Sequence, residues 1–244
     1  MYKPITFLLK YIFKTAGKVE VQGREKLPEG GPYVVACTHT SFMDVLMLAT
    51  GMYPTQIHYM AKKELFEGKF KNWFFKNVNA FPVDRANPGP STLKIPSRLL
   101  KEGKVVGIFP SGTRSAEDVS LKAGAVTIAM RSNVPLVPAA YVGPSSVKEL
   151  IKGKKAQLIF GDPIQIEAGE QIDRKTAMKM MTDQLNEKFE ELKEALQSNQ
   201  KIKKTTGHRR SSFLLLFIIK GKGDTKLYKR SSVNESSKKK RAAS

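Results

Sequence analysis

His39 and Asp44 stand five positions apart in the run His39-Thr40-Ser41-Phe42-Met43-Asp44, an imidazole and a carboxylate where the pattern changes from strand-like to helical. Val34-Val35-Ala36-Cys37 reads as a buried strand and Val45-Leu46-Met47-Leu48 as the apolar run of a helix. Within one continuous helix five residues advance by about 500°, which would leave the two side chains roughly 140° apart. His39 must therefore precede the helix if the pair is to meet. Ser41 is placed to be the N-cap and Asp44 the third helical residue, the arrangement of a capping box, which folds the preceding chain back over the first turn. An imidazole is partly neutral near pH 7 and can take a proton from a hydroxyl, a service worth roughly 10²–10⁴ in rate. The same spacing also suits a helix-capping carboxylate beside an unrelated loop histidine, so it gains its meaning from segments farther along the chain.

The other reactive side chains point elsewhere. Cys37 is the only cysteine, so no intrachain disulfide can form, and its apolar neighbours mark a small buried residue rather than a nucleophile. Ser41 reads as a cap, not a nucleophile. His58 lies in the alternating run Ile57-His58-Tyr59-Met60 and reads as a polar-face strand residue, and His208 sits in a basic tail. With 3 His, 1 Cys and no close cluster of His, Cys and acids, a zinc site is not expected. Neither a G-x-x-x-x-G-K-[ST] loop nor a G-x-G-x-x-G follows any strand. The expectation is no metal and no cofactor.

Three further segments follow His39 and Asp44 in order: Phe81-Pro82-Val83-Asp84-Arg85, Phe109-Pro110-Ser111-Gly112-Thr113-Arg114-Ser115 and Val134-Pro135-Leu136-Val137-Pro138. The series resembles the four blocks of the glycerolipid acyltransferases, above all the bacterial 1-acylglycerol-3-phosphate acyltransferases with an H-x-x-x-x-D motif, over roughly Val19 to Pro163. The resemblance implies that His39 is the base for an acceptor hydroxyl and that Asp44 orients it. It places Arg85 and Ser111, Gly112, Thr113 and Arg114 in acceptor-binding blocks, and Val134–Pro138 near the acyl-donor site. Arg85 and Arg114 suit a phosphate, since guanidinium groups pair bidentately with phosphate oxygens, and Lys122 can assist as a point charge. Gly112 fits a turn that lets backbone approach an anion. Two positions depart from the family pattern. Ser111 stands where Glu is usual, so it can hydrogen-bond a glycerol hydroxyl but brings no charge; Asn79 stands where Gly often opens the second block, and Asn tolerates left-handed backbone angles.

The implied activity is transfer of a fatty acyl group from acyl-carrier protein or acyl-CoA to the sn-2 hydroxyl of 1-acyl-sn-glycerol 3-phosphate, giving phosphatidic acid in phospholipid biosynthesis. The acceptor oxygen attacks the thioester directly, with no acyl-enzyme. Oxyanion donors are backbone N–H groups at the start of the Phe42 helix or near Pro138. Ser111 leaves a second acceptor class open, another lysolipid or glycerol 3-phosphate. A different class is a non-catalytic basic membrane- or nucleic-acid-binding protein.

At 244 residues with 41% hydrophobic residues, the chain can build one well-packed domain. Strand patterns fall at Val19–Gln22, Tyr33–Thr38, Ile57–Ala61, Ala80–Val83, Val105–Phe109, Leu136–Val142 and Gln157–Phe160. Helical patterns fall between them at Phe42–Thr50, Lys63–Val78, Thr92–Glu102 and Leu121–Arg131, with Asp173–Gln197 last. This alternation predicts an α/β fold, a three-layer sandwich with a mostly parallel mixed sheet of the glycerol-3-phosphate acyltransferase kind. The expected division is an amphipathic membrane-interface helix over 1–18, an acyltransferase domain over 19–198 and a basic, disordered tail over 199–244.

The net charge of +20 is uneven: residues 199–244 hold fourteen Lys and Arg against Asp224 and Glu235. A basic body suits an anionic membrane surface, an acidic carrier protein and a phosphate-bearing substrate alike. The tail lacks interleaved aromatic side chains, so no specific nucleic acid is expected as a partner. In residues 2–17, Lys3, Lys10 and Lys14 share one sector of a helical wheel, and Ile5, Leu8, Leu9, Ile12 and Phe13 fill the other. Such a helix reaches only about 24 Å against a hydrocarbon core of about 30 Å, so it is expected to lie in the interface. The alternative is a helix packed on the domain. Trp73-Phe74-Phe75, flanked by Lys69, Lys71 and Lys76, reads as a second interfacial patch, and no cleavable signal is evident. These features suggest membrane contact without a span, and the family resemblance implies the cytoplasmic face of a bacterial membrane, peripheral or monotopic.

Overall fold

The structure, a computed structural model, describes the chain except residues 17–18, 40, 85–88, 111–115, 166–172 and 221–244, and gives backbone alone at 16, 116–121 and 199–220. Seven strands form one sheet: β1 (Val19–Gln22), β2 (Val34–Cys37), β3 (Ile57–Lys62), β4 (Ala80–Val83), β5 (Val105–Ile108), β6 (Leu136–Val142) and β7 (Ala156–Phe160). Their order is β1-β7-β6-β2-β5-β3-β4. The strands from β6 to β4 are mutually parallel, and β7, antiparallel to β6, carries β1 parallel to itself. The interleaved helices are α1 (Tyr2–Ala16), α2 (Phe42–Met52), α3 (Lys69–Asn77), α4 (Ser91–Lys101), α5 (Ala116–Ser132), α6 (Val147–Ile151) and α7 (Arg174–Lys220).

β2 shows why the centre of the sheet reads as unbroken apolar sequence. Its Val35 and Cys37 join the core with α1 and α2, while Val34 and Ala36 join the core with α4, α5 and α7. Successive side chains leave a strand on opposite faces, so a strand covered on both sides must be apolar at every position. At the edge, β4 carries Pro82 with its side chain exposed, which suits a strand with a free side. The α7 stripe Met181, Leu185, Phe189, Leu192 and Leu196 is buried as its spacing predicts. Asp173 starts that helix by accepting from the Thr176 hydroxyl and from the N–H groups of Thr176 and Lys175, which together hold its carboxyl below the usual range.

Several expectations change in detail. The helical pattern over Lys63–Val78 is two elements, a 3-10 turn at Lys63–Phe66 and then α3, because Gly68 takes φ +90° between them. Asn79, in the place where a Gly is usual, adopts φ +62°, a backbone region Asn tolerates. The short α6 had no counterpart in the sequence pattern. α7 continues to Lys220, so the backbone of 199–220 is helical where disorder is expected; Lys, Arg and Leu in this stretch favour helix. Met1–Leu196 forms one compact unit and 197–244 a second.

α1 turns most of its apolar side inward, rotated toward Tyr2 and Thr6 and away from Leu8. Tyr2, Thr6 and Phe13 are buried, with Leu9 packed beside them, while Phe7, Leu8 and Tyr11 are exposed. The Tyr2 end is anchored to β3 by hydrogen bonds: the Tyr2 hydroxyl lies 3.3 Å from that of Tyr59 and accepts from Ile57 N–H at 3.4 Å. Thr6 Oγ1 is satisfied within the helix, donating to the Tyr2 carbonyl at 2.9 Å, so it can be buried without a partner from the domain.

Leu185 is fully buried between α7 and the sheet, so Leu185→Ala is expected to cost about 2–5 kcal/mol, read as a lower urea midpoint at unchanged slope.

Candidate active site

β2 carries the chain to the carboxyl edge of the sheet and α2 takes it away. Thr38 stays tied to β6 beyond the end of β2, its N–H donating to the Ala139 carbonyl at 3.1 Å and its Oγ1 accepting from Tyr141 N–H at 3.3 Å. Ser41, with φ −154° and ψ 165°, is the extended N-cap of α2. Asp44 then reaches back: Oδ2 accepts from Ser41 N–H at 2.9 Å and Oδ1 from the Ser41 hydroxyl at 3.1 Å. The carboxylate is 1% exposed, so these donors offset a desolvation that would otherwise expel it. At the positive end of α2 its charge is also favoured by the helix dipole.

His39 meets that carboxylate, as the spacing predicts. Its Nδ1 lies 3.3 Å from Asp44 Oδ2, close enough for an ion pair, yet it makes no hydrogen bond because the approach is off-angle. With Nδ1 turned to Asp44, Nε2 is the nitrogen left for a reacting group, and the side chain is 35% exposed. The imidazole also packs on Phe109, centroids 5.2 Å apart at 50°. Phe109 in turn stacks on Tyr59 at 6.0 Å and 23°.

His39 and Phe109 form part of the wall of a cavity of about 530 Å³. The rest is almost entirely apolar, including Leu9 of α1, Phe42 and Leu46 of α2, Leu65, and Phe75 of α3. Each methylene moved from water into such a space gains roughly 0.8 kcal/mol. A long-chain lipid group therefore fits both its size and its chemistry.

The remaining expected site residues divide. Arg85, Ser111, Gly112, Thr113 and Arg114 lie outside the described residues. The strands before them, β4 and β5, end at Val83 and Ile108 on the same edge of the sheet as the end of β2. In open α/β sheets ligands bind outside this carboxyl edge. Lys122 is partly buried on α5 with its ammonium 5.9 Å above the Phe189 ring, so in this conformation the charge rests on an aromatic face of α7. Pro138 has no N–H to offer an oxyanion, and its carbonyl accepts from Gly161 N–H at 2.8 Å.

His58 sits at the amino end of β3, lining a second cavity of about 530 Å³ with Tyr33 and Lys104 at the opposite edge of the sheet from His39. Burial, and then the Lys104 charge, push its pKa down. Cys37 is fully buried, and burial followed by the nearby Asp44 charge raises its thiol pKa well above the ordinary value, so it supplies no thiolate. Sequence reasoning missed the aromatic chain from Tyr59 through Phe109 to His39. Alternation in β3, which puts Tyr59 on the face opposite His58, was the available signal.

The family model described as Acyltransferase matches residues 18–142, which contain His39, Asp44 and both strands beside them. The chain belongs to this family. It is 52% identical to the 1-acyl-sn-glycerol-3-phosphate acyltransferase of Bacillus subtilis (strain 168), over 80% of this chain and 98% of that one. The protein of the same name from Streptococcus pneumoniae (strain ATCC BAA-255 / R6) is 36% identical over 62% of this chain and 57% of its own length. The fold is that of the crystal structure of the 1-acyl-sn-glycerophosphate (LPA) acyltransferase PlsC from Thermotoga maritima, with a TM-score of 0.56 and 24% identity over 79% of this chain and 81% of that one.

For an acyltransferase whose serine is a cap, Ser41→Ala should cost about 1 kcal/mol of stability and leave turnover within about tenfold. Asp44→Asn should keep the fold and lower kcat by up to about 10⁴-fold, since the amide no longer holds the imidazole as a base. Denaturant titration beside an acyl-transfer assay reads both.

Proposed function

We propose that this acyltransferase moves a fatty acyl group from the thioester of acyl-carrier protein or acyl-CoA to the sn-2 hydroxyl of 1-acyl-sn-glycerol 3-phosphate, giving phosphatidic acid. The observation that carries the reading is a histidine with its Nδ1 beside a buried carboxylate, set in the wall of an apolar cavity. The names of the relatives from Bacillus subtilis and Streptococcus pneumoniae support the same acceptor.

In the reaction His39 Nε2 takes the proton of the acceptor hydroxyl as its oxygen attacks the thioester carbonyl. Asp44 stabilises the imidazolium through Nδ1–H. The first N–H groups of α2, which have no intrahelical acceptor, face the developing oxyanion. Collapse of the tetrahedral intermediate forms the ester and breaks the carbon–sulfur bond, and the imidazolium returns its proton to the departing thiolate. Arg85 and Arg114, with Ser111, Gly112 and Thr113 between them in the acceptor blocks and Lys122 as a further cation, hold the phosphate and the glycerol. Ser111, in place of the family's usual Glu, leaves a second acceptor class open, another lysolipid or glycerol 3-phosphate.

The protein works at an anionic membrane surface on the cytoplasmic face, held there without spanning it. No helix among the described residues is long and apolar enough to cross a membrane. Phe7, Leu8 and Tyr11 on α1 and Phe70 and Trp73 on α3 are exposed apolar side chains, and Lys69, Lys71 and Lys76 flank the second group. Aromatic residues framed by lysines suit a lipid headgroup region of negative charge.

Purified protein given 1-acylglycerol 3-phosphate and either donor should form phosphatidic acid, and His39→Ala should lose at least about 10²-fold. Mass spectrometry of products from a panel of acceptors separates the two acceptor classes. Trp73 is the only tryptophan, so its emission should shift to the blue on anionic vesicles and not on neutral ones; unchanged emission would remove α3 from the membrane contact.

A further inference from the structure

We propose that Phe109 is a positioning residue for the reaction, bracing the His39 ring so that Nε2 is presented to the acceptor hydroxyl, with the brace anchored through Tyr59 to Tyr2 of α1. The inference rests on His39 acting as the base. Asp44 alone does not fix the imidazole. Both carboxylate oxygens are held by Ser41, Oδ2 at 2.9 Å by its N–H and Oδ1 at 3.1 Å by its hydroxyl. The ion-pair approach of His39 Nδ1 at 3.3 Å is off-angle for a hydrogen bond. An off-angle ionic contact restrains distance and leaves the ring free to tilt.

Tilt is restrained from the other side by shape. The Phe109 ring lies 5.2 Å from the imidazole at 50°, a tilted aromatic contact within the preferred range. Phe109 is itself 5% exposed and stacks on the buried ring of Tyr59. Tyr59 is joined to α1 by its hydroxyl, 3.3 Å from that of Tyr2, and Tyr2 is pinned by Ile57 N–H. Burial raises both phenols' pKa values, so neither ionises at working pH and the bridge between them persists. The chain therefore runs from the first residues of α1 to the catalytic ring through rigid groups with few rotamers. Phe109 also directly precedes Pro110 and the acceptor-binding segment, so one residue sets the base and the end of the strand that leads to that segment.

The role has a signature that ordinary core packing lacks. A brace acts on the geometry of proton transfer, so its loss lowers kcat and spares the binding of lysophosphatidate. Phe109→Leu keeps apolar bulk but has no flat face, and should lower kcat on the order of 10–10²-fold with KM within about twofold of wild type. Phe109→Tyr restores the ring, and should bring kcat back to within about threefold. If Phe109→Leu turns over within about twofold of wild type while His39→Ala is inactive, the brace is refuted and the function stands; if His39→Ala is active, the proposed chemistry itself fails. Should Phe109→Leu not fold, the wild-type protein decides by NMR. Cross-relaxation between the His39 ring protons and the Phe109 ring, with His39 signals shifted upfield by that ring, is expected; its absence overturns the proposal.

Discussion

One buried carboxylate at the start of a helix holds this active site together. Asp44 closes the turn between β2 and α2 by taking both the N–H and the hydroxyl of Ser41, and the closure brings His39 back over the helix it precedes. Capping of α2 and the contact with His39 are thus two uses of one negative charge. Burying that charge would be costly if its donors were lost, and removing one partner of such a group costs more than the group's net contribution. The turn that carries His39 is therefore stiff.

The sheet supplies the frame for that turn. β2 lies between β6 and β5, all three parallel and buried on both faces, so the strand that delivers His39 is held along its length. Parallel pairing also sends the ends of β4 and β5 to the same edge, which is why the chain can bring residues dozens of positions apart to one place. On one side of the sheet α1, α2 and α3 leave an apolar space beside His39, and on the other α4, α5 and α7 close a dry core. The His39–Asp44 pair and the apolar cavity share one face of the sheet, and both faces carry a buried core.

α1 serves both core and cavity. Its inward stripe of Tyr2, Thr6, Leu9 and Phe13 is part of the core and of the cavity wall, while its outward Phe7, Leu8 and Tyr11 are left to solvent or lipid. Interface helix and packed helix were alternatives in the sequence; the fold packs one face of α1 on the domain and leaves apolar side chains exposed on another. The helical wheel groups Leu8 with Leu9 on one apolar side, whereas in the fold Leu9 packs on the core and Leu8 is exposed. The hydrogen bonds that tie the Tyr2 hydroxyl to β3 favour that rotation.

The sequence by itself determined the strand positions, the alternation with helices and the His39–Asp44 turn, because each is written in local periods of two or 3.6 residues and in one cap. The family resemblance rested on the same local blocks. Tertiary structure decided which face of α1 is buried, that Gly68 divides the segment before Asn79, and that Tyr2, Tyr59, Phe109 and His39 form one aromatic line. It also decided where the cavity lies. Those features depend on strand order and on contacts between residues far apart in the chain, and neither is encoded in any short stretch of residue types.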